Sequence, residues 1–362
     1  MRTLVRGKLV LREETEPRGG VLLEEGNILG VFPEALAEKV SAERTFDFGE
    51  KVIAPGFVDI HCHGSPEILG ADDPVAAARE HYSHGTTSLL LSLYRNLNFE
   101  ETMTALGRIR DAMRGEAGNL LGAHMEGPYL NPDFGSKRSD AVRIQPNEYR
   151  RVLGTGIVRQ WTFSPEFEGG CEFCAEIAAA GVVPAIGHSR ASADEVRRAV
   201  KNGARIVTHI TDATGASVYP SRYPGTKEVD FDAACLLSDG LFYEIINDRE
   251  GIHVRKDMIR LLIKIAGIER IVGITDCFPG GEAGRDVNFT NGELSGSRLT
   301  MDEVARNFLA LGLTLPEVFR VTSYNPARAL RLENRIGQLC AGCRADLLVT
   351  DENLKEIEVL RL

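Results

Sequence analysis

The chain has 362 residues, 43% of them hydrophobic and 26% charged, with 42 Lys plus Arg against 52 Asp plus Glu for a net charge of −10. That balance excludes a peptide and a disordered polymer, and the length suits two or three ordinary domains or one large α/β barrel with an accessory piece. The negative excess repels nucleic-acid backbones and anionic membranes, so neither is expected as a partner, and an anionic substrate must be held by a local basic cluster.

Residues 1–54 alternate apolar and polar positions, with turns at Gly19-Gly20 and Glu25-Gly26-Asn27, which predicts short strands. Arg, Lys or Glu interrupts every apolar run between Met1 and Pro17. A signal peptide needs an apolar core of roughly 7 to 15 residues and a membrane helix about 20, so a cytoplasmic location is expected. From Gly56 onward a different rhythm begins. Apolar, β-branched runs at Phe57 to Cys62, Thr87 to Leu93, Asn119 to Glu126, Ile157 to Phe163, Val182 to His188, Arg205 to Thr211, Leu241 to Ile246 and Ile271 to Asp276 read as eight strands. Helical patterns separate them, most clearly at Pro74 to His84, Phe99 to Arg114, Cys171 to Ala180, Ser192 to Asn202 and Lys256 to Ala266. Gly85, Gly181, Gly203 and Gly267 stand where a helix end calls for positive φ.

Eight β/α alternations predict an α/β fold: a (β/α)8 TIM-type barrel over residues 55–335, with its active site at the C-terminal strand ends. An open doubly wound sheet is the alternative, but no phosphate-loop fingerprint accompanies it. The tail from Ile336 offers one more strand at Ala345 to Val349, and the simplest closure joins residues 336–362 to residues 1–54 in a small β-sandwich beside the barrel. Seven scattered cysteines, an odd number, point to free thiols rather than a disulfide framework. The pairs Cys171/Cys174 and Cys340/Cys343 lie too far apart for a zinc ribbon, whose pairs are separated by roughly 15 to 20 residues.

Four of eight histidines and two carboxylates fall at the predicted C-terminal ends of strands. His61 and His63 close the first strand as HxH, and alternate strand residues share a side, so both imidazoles aim into the barrel mouth. Glu126 ends the third strand, His188 the fifth, His209 lies late in the sixth and Asp276 ends the eighth. Imidazoles and carboxylates are the donors that divalent first-row metals take, and six of them suffice for one ion or for two sharing a bridging group. The same donors serve Zn²⁺, Fe²⁺ and Mn²⁺, with zinc the leading expectation. His81 and His84 lie on the first helix, away from the mouth, and read as structural or solvated. His124 is either a residue that orients a ligand or a packed polar residue. His253 follows the seventh strand in a loop.

The segments Ala54 to Gly64 (APGFVDIHCHG), His124 to Tyr129 (HMEGPY), Gly187 to Ser189 (GHS), Thr208-His209, Thr275-Asp276, Asn325 to Arg328 (NPAR) and Gly342 to Leu347 (GCRADL) together resemble the amidohydrolase superfamily. Within it they are most similar to the N-acetylglucosamine-6-phosphate deacetylase family. The resemblance implies a metal-binding barrel with a β-sandwich built from both termini. It also implies His61, His63, Glu126, His188 and His209 as metal ligands, with Glu126 bridging if two metals bind. No Lys stands on the fourth strand to bridge in its place. Asp276 is implied as the catalytic carboxylate beside the metal, acting as general base and then acid. His253, similar to the histidine of a DGxH motif, is implied as the hydrogen-bond donor to the substrate carbonyl. A homodimer is expected on the same ground.

Substrate contacts depart from the family pattern. A short Gly-Ala-His stretch is replaced by Phe134-Gly-Ser-Lys-Arg, an Asn after the TH histidine by Asp212, and the Asp of DGxH by Glu250. Arg222 lies where the family places an arginine for the sugar phosphate, and Lys137 and Arg138 are candidates to join it or to form another anion site. The expected function is removal of acetyl from an N-acetylated amino sugar, N-acetylglucosamine 6-phosphate or a close relative. The alternatives are hydrolysis of another N-acyl compound and a metal-binding homologue without turnover.

Overall fold

The computed structural model describes the chain except residues 95, 136–141, 215–224, 227, 283, 291 and 361–362. Eight parallel strands follow one another around a single sheet: Phe57–Cys62, Thr86–Tyr94, Leu120–Glu126, Val158–Phe163, Val183–Ile186, Ile206–Val207, Phe242–Ile246 and Ile271–Ile274. The last strand returns to the first at the mouth, where the Asp276 amide donates to the His61 carbonyl at 2.9 Å and the His63 amide to the Cys277 carbonyl at 2.8 Å. These strands are buried almost throughout, as a sheet covered by helices on one face and packed on itself on the other must be.

Local chemistry starts and stops the surrounding helices. Asn98 caps Phe99–Arg114 by accepting the Glu101 amide at 3.0 Å while the Glu101 carboxylate accepts the Asn98 amide at 2.8 Å. Ser192 and Glu195 do the same for Ala193–Lys201. Gly85 and Gly181, just past helix ends, take φ of 87° and 81°.

Both termini enter one second sheet of six strands, in the order Ile357–Leu360, Leu347–Thr350, Arg44–Pro55, Arg2–Val10, Thr15–Glu24 and Asn27–Pro33. Between Arg6 and Lys8 the pairing with Arg44–Pro55 jumps from Asp47 to Val52, a bulge that bends the sheet. Gly7 allows it, because a Cβ there would lie 2.9 Å from both the Ile53 side chain and the Lys51 carbonyl. The bend lets Val5, Leu9, Val21, Ile28, Ile53 and Val349 form an apolar cluster of their own.

Three strands stop earlier than the sequence suggests. The fifth ends at Ile186 rather than His188, the sixth at Val207 rather than Thr211, and the eighth at Ile274 rather than Asp276. In each, the chain turns into the left-handed region at or just before the functional side chain: φ is 47° at His188, 24° at His209 and 46° at Asp276. A side-chain-bearing residue in that region costs about 1 to 3 kcal/mol and persists where its surroundings over-determine it. A hairpin absent from the expected element order, Val287–Thr290 with Glu293–Ser297, follows the eighth strand and stands over the mouth. The Ser297 amide fastens it to the Asp276 carbonyl at 2.8 Å.

Candidate metal centre and active site

The barrel end gathers all six expected donors into one buried cluster centred on Glu126. Its Oε1 lies 2.9 Å from His188 Nε2, 3.2 Å from His209 Nε2 and 3.5 Å from His61 Nε2, and its Oε2 lies 3.2 Å from His63 Nε2. Asp276 Oδ1 faces the same first-strand pair, 3.4 Å from His61 Nε2 and 3.3 Å from His63 Nε2. Two groups of donors therefore share His61: His61, His63 and Asp276 on one side, His61, Glu126 and His209 on the other. The strand period accounts for His61, His63 and Glu126. His188, His209 and Asp276 reach the same centre because their left-handed backbones redirect side chains that have already left their strands.

Charge in the cluster is strongly coupled. Burial pushes the Glu126 carboxyl upward, but the imidazoles of His188, His209, His61 and His63 that face it reverse this and hold it well below the ordinary value. Burial likewise raises Asp276, and the facing His61 and His63 bring it below the usual range. The imidazoles respond in kind: burial lowers His209, yet Glu126, Asp212 and Asp276 together lift it to about 9. The metal-free cluster thus collects protons, as acidic groups set against lone pairs must.

The donor set fits a divalent cation. His61 Nδ1 faces Glu244, His188 Nδ1 the Phe134 carbonyl at 3.3 Å and His209 Nδ1 the Asp212 carbonyl at 3.2 Å, so each directs Nε2 to the centre. His61 Nε2 is buried with no hydrogen-bond partner among the described residues. A lone pair aimed at two carboxylates is stable only with a proton or a cation between them.

Above the cluster opens a cavity of about 490 Å³ lined by Tyr94, Asp212, His253, Asp276, Phe278 and Leu294 among others. Phe278 packs 5.3 Å from the His63 ring and 5.5 Å from Tyr94, giving the cavity an aromatic wall. His253 is buried, with Nδ1 3.0 Å from Asp212 Oδ2 and Nε2 3.1 Å from the Gly296 carbonyl of the hairpin. Burial lowers its pKa, but the Asp212 hydrogen bond and charge prevail and raise it. A larger cavity of about 760 Å³, lined by Arg79, Tyr82, Asn119 and Arg344 among others, contains none of the cluster, so chemistry rather than volume picks the site.

Other expectations resolve variously. His81 is fully buried, with Nε2 2.7 Å from the Gly64 carbonyl, and His84 is half-exposed beside Asp302, so both lie outside the cluster. His124 bonds Ser92 Oγ and Thr162 Oγ1, each at 2.8 Å, and stacks edge-on at 4.4 Å from His61; it packs against that ring without hydrogen-bonding any of the six donors. Glu250, in the Asp position of the motif, is exposed. Asp248 accepts the amides of Ile252 and His253, each at 2.9 Å, and so shapes the turn that carries His253. Arg222, Lys137 and Arg138 lie outside the described residues. Two further buried carboxylates adjoin the site: Glu244, beneath His61, and Asp59, within the APGFVDIHCHG segment, which accepts the Thr275 hydroxyl at 2.6 Å and so links the ends of the first and eighth strands. An isolated acid inside an apolar strand was the available signal for each.

The model of the Amidohydrolase family matches residues 52–360. The chain belongs to that family and, within it, to the N-acetylglucosamine-6-phosphate deacetylases. The Lysinibacillus sphaericus deacetylase of that name is 30% identical over 330 residues, covering 84% of this chain and 82% of that protein. The Bos taurus one is 29% identical over 385 residues, covering 97% and 90%. A solved mutant of the Mycobacterium smegmatis N-acetyl-D-glucosamine-6-phosphate deacetylase, in complex with N-acetyl-D-glucosamine-6-phosphate, superposes with a TM-score of 0.85 at 29% identity, covering 99% of this chain and 98% of that one. The family is metal-dependent, in keeping with the donor groups here. No helix among the described residues is long and apolar enough to cross a membrane.

Proposed function

We propose that this protein removes the acetyl group from an N-acetylated amino sugar, N-acetylglucosamine 6-phosphate or a close relative, with Asp276 and His253 as its catalytic residues. The observation that carries the reading is the Glu126-centred imidazole cluster with a second, proton-accepting carboxylate, Asp276, at the floor of a cavity. His61, His63, Glu126, His188, His209 and Asp276 are the residues that would hold one divalent ion or two, the two oxygens of Glu126 facing different imidazoles. Zinc is the leading candidate. A metal held there supplies Lewis acidity and lowers the pKa of coordinated water to about 7.

Asp276 takes a proton from the water that attacks the amide carbon and passes it to the amine nitrogen as the C–N bond breaks. Its depressed pKa keeps it ready to accept. His253, held by Asp212, donates a hydrogen bond to the carbonyl oxygen as negative charge develops, the substrate oxygen taking the place of the Gly296 carbonyl. Arg222, with Lys137 and Arg138, is proposed to receive the phosphate, a bidentate guanidinium being suited to it.

A second reading, another N-acyl substrate, is favoured by one observation: none of the described residues lining the cavity is Lys or Arg, and Glu293 is among them. Amine release measured with N-acetylhexosamine 6-phosphates, unphosphorylated N-acetylhexosamines and N-acyl amino acids separates the readings. Release from the last group alone sinks the first. The seven free cysteines suit a reducing cytoplasm. A homodimer rests on family resemblance and is checked by sedimentation.

A further inference from the structure

Glu244 stands on the seventh strand beneath the cluster with no exposed surface. Its Oε2 lies 3.0 Å from His61 Nδ1, and its Oε1 accepts the Gln160 Nε2–H at 2.7 Å from the fourth strand, where Gln160 is equally buried. Among the described residues His61 is its one ion-pair partner. A carboxylate sunk in a barrel interior is costly unless a charged or strongly polarised donor compensates it, and Gln160 is neutral. The compensation therefore falls to His61. If Nδ1 carries the proton that Glu244 accepts, Nε2 is left as a lone pair, and that atom is the buried, unpartnered one facing Asp276 and Glu126.

We propose that Glu244, itself held by Gln160, is a positioning residue: it fixes the Nδ1–H tautomer of His61, aims Nε2 into the cluster and strengthens it as a donor to a cation. Three strands on different sides of the barrel are thereby tied to one ligand atom. The proposal rests on the reading that His61 holds a metal.

Two substitutions test it. In Glu244→Gln the amide oxygen still accepts from His61, and its NH₂ turns to Gln160. Gln160 Oε1 is buried without a partner and becomes the acceptor when that amide turns over. Packing and tautomer are kept while the charge is lost. Glu244→Met removes the acceptor as well. Metal-stripped protein is titrated with Zn²⁺ against a chromophoric chelator, and ¹⁵N-histidine spectra of the metal-free protein, recorded at a pH where His61 is neutral, report the tautomer.

The expected result is Zn²⁺ affinity weakened about 10-fold in Glu244→Gln and about 100-fold in Glu244→Met. The Nδ1–H pattern of His61 is kept in the first and lost in the second, and Glu244→Gln melts as the wild type does. A purely structural Glu244 would move melting temperature without moving Zn²⁺ affinity in the well-folded Gln variant. Wild-type affinity in Glu244→Gln overturns the proposal even if Glu244→Met does not fold, as does an unchanged His61 pattern in a folded Glu244→Met. A wild-type protein that takes up no Zn²⁺ overturns the metal reading itself, and the two failures are therefore distinct.

Discussion

Replacing Asp276 with Asn removes one negative charge and the proton acceptor while leaving an oxygen of nearly the same size in place. General acid–base catalysis is worth about 10²- to 10⁴-fold, or about 2.7 to 5.5 kcal/mol at 1.36 per decade. The structure argues for the upper part of that range. Glu126 is engaged by four imidazoles between 2.9 and 3.5 Å and Asp212 is paired with His253, so neither of these carboxylates is free to take over. The remaining amide oxygen still faces His61 and His63, so metal content should fall little. The assay is amine release from an N-acetylhexosamine 6-phosphate at saturating metal, with metal content measured on the same samples. Residual kcat/KM above roughly 5% of wild type, with metal retained, refutes Asp276 as the proton shuttle.

Gly135→Ala should disturb His188, because Gly135 has φ of 77° and a Cβ there would lie 2.7 Å from His188 Nδ1. Backbone strain of about 1 to 2 kcal/mol adds to the clash, and Zn²⁺ affinity is expected to fall about tenfold; an unchanged chelator-competition curve rules this out. Metal affinity should also depend on pH. His209 is lifted to about 9 in the metal-free cluster, so below that pH a cation must displace its proton, and apparent affinity falls as pH drops, about tenfold per unit for each proton released. An affinity flat between about pH 6 and 8 contradicts it.

Away from the site, Asp302 is buried and bonded to Arg306 Nη1 at 2.9 Å and to Thr300, with His84 Nδ1 at 3.3 Å. Burial raises its carboxyl, but these partners prevail and hold it at about 2, down from 3.8. Because the folded value is the lower one, the stabilisation is present above 3.8 and is lost as pH falls toward 2. Asp302→Asn should cost about 2 kcal/mol at neutral pH and much less near pH 2 in urea titrations. An equal loss at both pH values would show that the charge is not the source.

The site was legible where chemistry follows a local period and illegible where it follows tertiary closure. His61 and His63 occupy alternate positions of one strand and Glu126 ends another, so pattern alone aims them at the mouth. His188, His209 and Asp276 were placed at the right edge of the barrel but on the wrong backbone. Their positive φ values are set by contacts such as the Asp276 amide on the His61 carbonyl, which joins residues more than 200 positions apart and which no local propensity encodes. Glu244 shows the same limit from inside the barrel: its charge was visible within Leu241 to Ile246, but that it meets His61 depends on how the seventh strand is staggered against the first. The mouth hairpin did leave a local mark, since Asn291-Gly292 is a favoured hairpin dipeptide between two short β-prone runs. That hairpin supplies the Gly296 carbonyl facing His253 and the Leu294 wall of the cavity, so part of the cavity wall comes from an element outside the (β/α)8 repeat. Loops carrying specificity on a barrel that carries the chemistry explain why the reaction class was easier to read from this chain than its substrate.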